Sequence, residues 1–118
     1  MIFRSSRSER SDRTRLIDGN RLEEVCQTRA LELCQHFLPE GKKFGVHWRV
    51  PTSPRTGAKK NKPGSLDVQL AGPYAGCWRD WETGEHGTFT RLIMIRDKFT
   101  FPEAADRITR CLGVDLSV

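Results

Sequence analysis

Three histidines, four cysteines and a cluster of carboxylates are the groups in this sequence that could do proton, metal or thiol chemistry. His36, His47 and His86 could act as general bases or metal ligands, but they are scattered and build no His-Glu-x-x-His or similar ligand spacing. Asp80, Glu82 and Glu85, followed by His86, could together hold a divalent cation, although acidic turns are common and the spacing alone is a weak signal. Cys26, Cys34, Cys77 and Cys111 contain no Cys-x-x-Cys pair, so neither a zinc ribbon nor a thioredoxin-like centre can be written with them. Cys26, Cys34 and Cys111 fall at helical spacing from other apolar residues, which predicts free, buried thiols acting as small hydrophobes. A nucleophile elbow, a phosphate-binding glycine loop and a paired acid/base signature are all missing. The expectation is a protein that is not an enzyme and takes no metal or cofactor.

The charge distribution says more. Segment 41–65 holds Lys42, Lys43, Arg49, Arg55, Lys59, Lys60 and Lys62 and no acidic residue. Of 20 Lys+Arg and 15 Asp+Glu in the chain, this leaves 13 basic against 15 acidic elsewhere, so the net +5 arises from this segment. A concentrated cationic stretch without local counter-ions is the footprint of a polyanion-binding surface, because neutralising phosphates releases condensed counter-ions. Trp48, Trp78 and Trp81 accompany it. Trp78 and Trp81 differ in strand parity and should point to opposite faces of a sheet, so one of them should be exposed. An exposed tryptophan beside Arg49 and Arg79 would make a base-stacking platform; filling of the core by all three is the competing reading.

The elements that would position these residues follow from hydrophobic period and turn chemistry. Asp18 or Asn20 can cap a helix with apolar positions from Leu22 through Val25, Cys26, Ala30, Leu33 and Cys34 to Phe37 and Leu38, ended by Pro39-Glu40-Gly41. Phe44, Val46, Trp48 and Val50 alternate with Gly45, His47 and Arg49, which predicts one half-buried strand. Residues 51–64 read as a loop. Leu66, Val68 and Leu70 alternate again, and a third short strand spans 77–81. After a glycine-punctuated turn at 82–87, Thr88 caps one helix; Thr100, Pro102 and Glu103 open a last helix that Gly113 stops. The predicted fold is α+β: an N-terminal helix, a three-stranded antiparallel sheet and two C-terminal helices in a single domain over 18–118. Residues 1–17, rich in Arg and Ser with no apolar period, should form a disordered tail. Neither a bilayer-spanning run nor a signal-like apolar stretch occurs, which points to a cytoplasmic protein that does not engage membranes.

The run from Ala75 through Cys77-Trp78-Arg79-Asp80-Trp81-Glu82-Thr83-Gly84 to Gly87 and Leu92-Ile93 resembles the second half of the zinc-ribbon domain that begins bacterial and phage DNA primases. Phe99-Thr100-Phe101-Pro102-Glu103-Ala104-Ala105, followed by Leu112-Gly113-Val114-Asp115-Leu116, is similar to that domain's closing helix and exit, and Gly41-Lys42-Lys43-Phe44 to its entry into the first strand. The likeness covers roughly residues 20–116. Aligned through Gly84 and Gly87, the second pair of zinc positions falls at Asp80 and Thr83 and the first near Trp48 and Pro51. This set has no thiolate or imidazole and cannot make a tetrahedral structural zinc site. The resemblance therefore implies a metal-free, zinc-ribbon-like domain in which tryptophan packing stands in for coordination. It is of the degenerate kind found in mobile-element primase and primase-helicase leaders, ending where a catalytic domain would begin.

The function this implies is a non-catalytic, nucleic-acid-binding accessory protein, with single-stranded DNA favoured, in the DNA replication of a phage or mobile element. Lys42, Lys43, Arg55, Lys59, Lys60 and Lys62 would contact phosphates, and Arg49, Arg79 and Trp78 or Trp81 would offer the stacking surface. A primase, helicase or other replication protein is a candidate partner. The alternative is a protein-interaction module, an inhibitor or regulator of a replication or defence protein, whose basic loop meets an acidic surface.

Overall fold

The computed structural model describes residues 18–56 and 65–116. The expected tail at 1–17 and the lysines at 59, 60 and 62 lie outside the described residues. Among the described residues the fold is α+β, with four helices and a five-stranded sheet in place of the expected three helices and three strands.

The first helix, α1 (Gly19–Thr28), starts at Asp18, whose carboxylate accepts from the backbone N–H groups of Asn20 and Arg21 at 3.0 and 3.3 Å. It does not run on to Leu38 as its apolar period suggests. Arg29 leaves helical geometry (φ −122°, ψ 36°), and a second helix, α2 (Ala30–Phe37), begins at the next residue. The break has a tertiary cause. The Arg29 guanidinium grips Glu32 at 2.8 and 2.6 Å and also donates to Leu112 O at 3.1 Å, a carbonyl at the end of the last helix. Nearby, Asp18 N–H donates to Leu116 O at 3.0 Å, so the first helix and the segment after the last one are clasped at two points.

The stretch read as one strand from Phe44 to Val50 is a hairpin. β1 (Lys42–Phe44) and β2 (His47–Val50) pair antiparallel around Gly45-Val46, with Gly45 at φ +61° as the first residue of a two-residue turn. The alternation that suggested a single strand came from both arms of this turn, which is why Phe44 and Val46 are exposed. β3 (Leu66–Gln69) and β4 (Trp78–Asp80) occupy their expected places, and β5 (His86–Gly87) adds a short edge inside the expected turn. All neighbours are antiparallel and the order is β1-β2-β3-β4-β5, a meander.

One face of the sheet is dry. Trp48, Val68 and Trp78 form one cross-strand row and Val50, Leu66 and Asp80 the next. They pack on a core that includes Leu22, Leu33, Phe37, Phe89, Leu92 and Ile108. Trp48 reaches the sheet margin, where its indole N–H donates to Leu38 O at 3.0 Å and its ring lies where a Cβ on Gly41 would stand. Behind the sheet lie α3 (Phe89–Asp97), capped by Thr88, and α4 (Phe101–Leu112), opened by the expected Thr100–Glu103 capping box and closed at Gly113. The four cysteines are free. Cys26 and Cys34 are buried, and burial pushes each thiol up to about 12. Cys111 is only half-buried, because its helix turns that position toward the rim of the core and not into it. None of the described helices is long and apolar enough to cross a membrane.

Candidate nucleic-acid interface

The other face of the sheet faces solvent. Period-2 geometry and the strand register together decide what it carries. Lys42 lies opposite Arg49, Arg49 opposite Asp67, Asp67 opposite Arg79 and Arg79 opposite His86, so one row crosses all five strands. The adjacent row runs Phe44, His47, Gln69. The cations Lys42, Arg49 and Arg79, which the sequence scatters over 38 positions, are thus brought side by side, with a single carboxylate, Asp67, among the strand residues of this face. Asp67 contacts His47, whose Nδ1 lies 3.0 Å from Oδ1, within hydrogen-bonding distance.

Aromatic rings stand among these charges. Trp81 is 62% exposed, Phe44 56% and Tyr74 67%, against 3% for Trp78 and 8% for Trp48. The choice between Trp78 and Trp81 therefore falls to Trp81; Trp78 belongs to the core, its indole N–H donating to Thr88 O at 2.7 Å. The Arg79 guanidinium lies over the Trp81 ring, 5.2 Å from its centroid, and Arg49 lies 6.0 Å from the centroid of Phe44. Arg49 Nε is buried with no hydrogen-bond partner. Between Trp81 and the β2–β3 strands opens a cleft of about 530 Å³, bordered by His47, Asp67, Gln69, Tyr74, Arg79 and Trp81.

The remaining candidates separate. Lys42 joins the outer face. Lys43, one residue on, projects from the opposite side of the same edge strand, and both are exposed. Arg55 is engaged inside the molecule: its Nε and Nη2 donate to Glu85 Oε1 and Oε2 at 3.1 and 2.8 Å, a bidentate pair that holds the Glu85 carboxyl below its usual range. The pair is exposed, so a phosphate at Arg55 would compete with the Glu85 carboxylate for the guanidinium fork. Lys59, Lys60 and Lys62 lie outside the described residues.

The positions that the primase resemblance assigns to metal ligation hold something else. Asp80 is fully buried, and four donors converge on it: Ser65 Oγ and Glu82 N–H on Oδ1 at 2.5 and 3.0 Å, Ser53 Oγ and Thr83 Oγ1 on Oδ2 at 2.6 and 3.1 Å. Asp80 and Thr83 do meet, as the spacing of that turn suggests, but the partners from the other strands are Ser53 and Ser65, which sequence reasoning missed. Trp48 and Pro51 are not part of the cluster; Trp48 packs one row away. A carboxylate whose lone pairs already accept three hydroxyls and an amide is no zinc site, since hydroxyls are poor zinc ligands and these point their protons inward. Beside the buried Trp48 and Trp78, a hydrogen-bonded carboxylate ties the loops together. Asp80, Glu85 and His86 do not converge either, and among the described residues no group of three His, Cys, Asp or Glu could hold a metal ion. No model of a protein family matches this chain, and no curated protein does.

Proposed function

We propose that this chain is a non-catalytic nucleic-acid-binding module that holds single-stranded DNA on the outer face of its sheet, as an accessory protein in the replication of a phage or similar mobile element. The observation that carries the reading is the Arg79–Trp81 stack standing in a cross-strand row with Lys42, Arg49 and His86. Exposed aromatic rings accept unpaired bases by stacking, whatever their sequence, while flanking guanidinium and ammonium groups follow the phosphates. A duplex keeps its bases stacked on each other and offers nothing to Trp81, so the face suits a single strand. The likeness to the primase zinc ribbon supports the template-binding and replication parts of the proposal, with the cluster around Asp80 replacing the ion as the tie between loops.

The test is a salt-titrated anisotropy measurement with labelled single-stranded and duplex DNA. Trp81→Ala should weaken single-strand binding by about 1–3 kcal/mol, roughly 5- to 150-fold, while leaving the fold intact because the ring is exposed. An unchanged Kd for Trp81→Ala, or equal binding of duplex and single strand, overturns the assignment. Failure to bind DNA at low salt would move this face to the alternative, a docking surface for an acidic protein.

A further inference from the structure

The outer face contains one group that phosphate binding does not explain. Asp67 sits in the middle of the cationic row, between Arg49 and Arg79, with only 17% of its side chain exposed. A carboxylate accepts hydrogen bonds and donates none, and phosphates at neutral pH offer no donors, so toward a sugar–phosphate backbone Asp67 is only repulsive. Base edges do offer donors. Asp67 does not pair with its cross-strand neighbour Arg79: it holds His47, while Arg79 leans over Trp81. Both border the same cleft, with Tyr74 and Trp81 as exposed rings beside them.

We infer that this cleft is a guanine-selective subsite, in which Asp67 reads the base's N1–H and N2–H donors and Arg79 its O6 and N7 acceptors. The inference rests on the proposed single-strand binding. Counting donors and acceptors selects guanine. It has two adjacent ring-edge donors that match a carboxylate and two adjacent acceptors that match a guanidinium fork. Cytosine and adenine offer a carboxylate only an exocyclic amine, and thymine offers only one N–H. The Gln69 amide nitrogen already donates to Ala71 O at 3.2 Å, which turns its oxygen toward the role of a further acceptor. A base stacked on Trp81 in the plane of the Arg79 guanidinium would satisfy both groups together. His47 fixes the carboxylate through Oδ1; each oxygen has two acceptor sites, so Oδ1 keeps one and Oδ2 both for the two donors of the base.

The test uses the full chain and labelled dT12 strands carrying one central dG, dA, dC, deoxyinosine or 7-deaza-dG. The dG strand should bind roughly 5- to 150-fold tighter than dT12, the range of one good bidentate base contact. Deoxyinosine, lacking the N2 amine, and 7-deaza-dG, lacking N7, should each lose part of that gain. Asp67→Asn should lose the part of the dG preference that depends on the N2 amine, so that dG and deoxyinosine strands bind it alike, while the loss caused by 7-deaza-dG remains. If Asp67 served only to space the arginines, its loss would change all strands alike and the wild type would show no preference. Salt-sensitive binding of every strand with equal Kd overturns the guanine subsite and leaves the single-strand reading standing; no binding of any strand overturns both. The analogue series on the unaltered protein decides the matter even if Asp67→Asn fails to fold.

Discussion

Replacing Asp80 with asparagine tests the internal tie at the end of the sheet. Each carboxylate oxygen accepts two bonds, Oδ1 from Ser65 Oγ and Glu82 N–H and Oδ2 from Ser53 Oγ and Thr83 Oγ1. Whichever oxygen becomes the amide, two donors face two more donors, and the bonds that remain lose their charge assistance. Hydroxyl protons can rotate away, but Asp80, Ser53 and Ser65 are all buried and have little water to turn to. At about 1–2 kcal/mol for each hydrogen bond removed, the expected destabilisation is about 3 kcal/mol. For a domain of this size that lowers Tm by roughly 12–24 °C. Burial raises the Asp80 carboxyl, yet the four hydrogen bonds outweigh it and hold the group below its usual value. A carboxylate depressed in the native state contributes stability that is complete above its unfolded value, near about 3.9, and lost as pH falls through the native value. The wild type should therefore lose its advantage over Asp80→Asn on acidification, most of it below about pH 4. Urea unfolding followed by the fluorescence of the buried Trp48 and Trp78, at neutral pH and at about pH 3, measures both effects. A difference under about 1 kcal/mol at neutral pH, or one that does not narrow in acid, refutes the account of Asp80 as a saturated, ionised tie.

Two further outcomes follow from other parts of the molecule. Gly41→Ala places a methyl group on the Trp48 indole and should destabilise by about 1–3 kcal/mol through overpacking; an unchanged denaturation midpoint would mean that the indole moves aside freely. Changing Lys59, Lys60 and Lys62 together to alanine should flatten the salt dependence of single-strand binding by about 0.7 in log–log slope for each phosphate no longer neutralised, and an unaltered slope removes that segment from the interface.

Local chemistry was legible from the sequence, and long-range chemistry was not. The caps at Asp18, Thr88 and Thr100 and the stop at Gly113 stand where their residue types place them, because a cap satisfies backbone groups within a turn of itself. The parity of Trp78 and Trp81 called for one ring on each face without saying which, and the structure puts Trp78 in the core and Trp81 on the surface. By contrast, Arg29 breaks a helix whose apolar period continues straight through it, because its partner Leu112 lies 83 residues away. Ser53 and Ser65 have nothing in their local context to mark them as partners of Asp80, and Arg55 finds Glu85 across 30 residues. The hairpin at 42–50 was hidden for a different reason: the apolar residues at 44, 46, 48 and 50 keep a period of two in sequence, but the two-residue turn pairs Phe44 with His47 and so puts Phe44 on the face opposite Trp48. The outer cationic row was invisible for the same reason as the core, since register and not sequence distance brings Lys42, Arg49 and Arg79 together.

The clasp between the first helices and the last also orders events in time. Leu112 and Leu116 are synthesised long after Arg29 and Asp18, so neither tie exists while the nascent chain is growing. Until they emerge, the segment from Leu22 to Leu38 lacks both long-range ties, and the joint at Arg29 has only its local pair with Glu32 to hold it. The end of the chain is thus part of what fixes the geometry of its first helices.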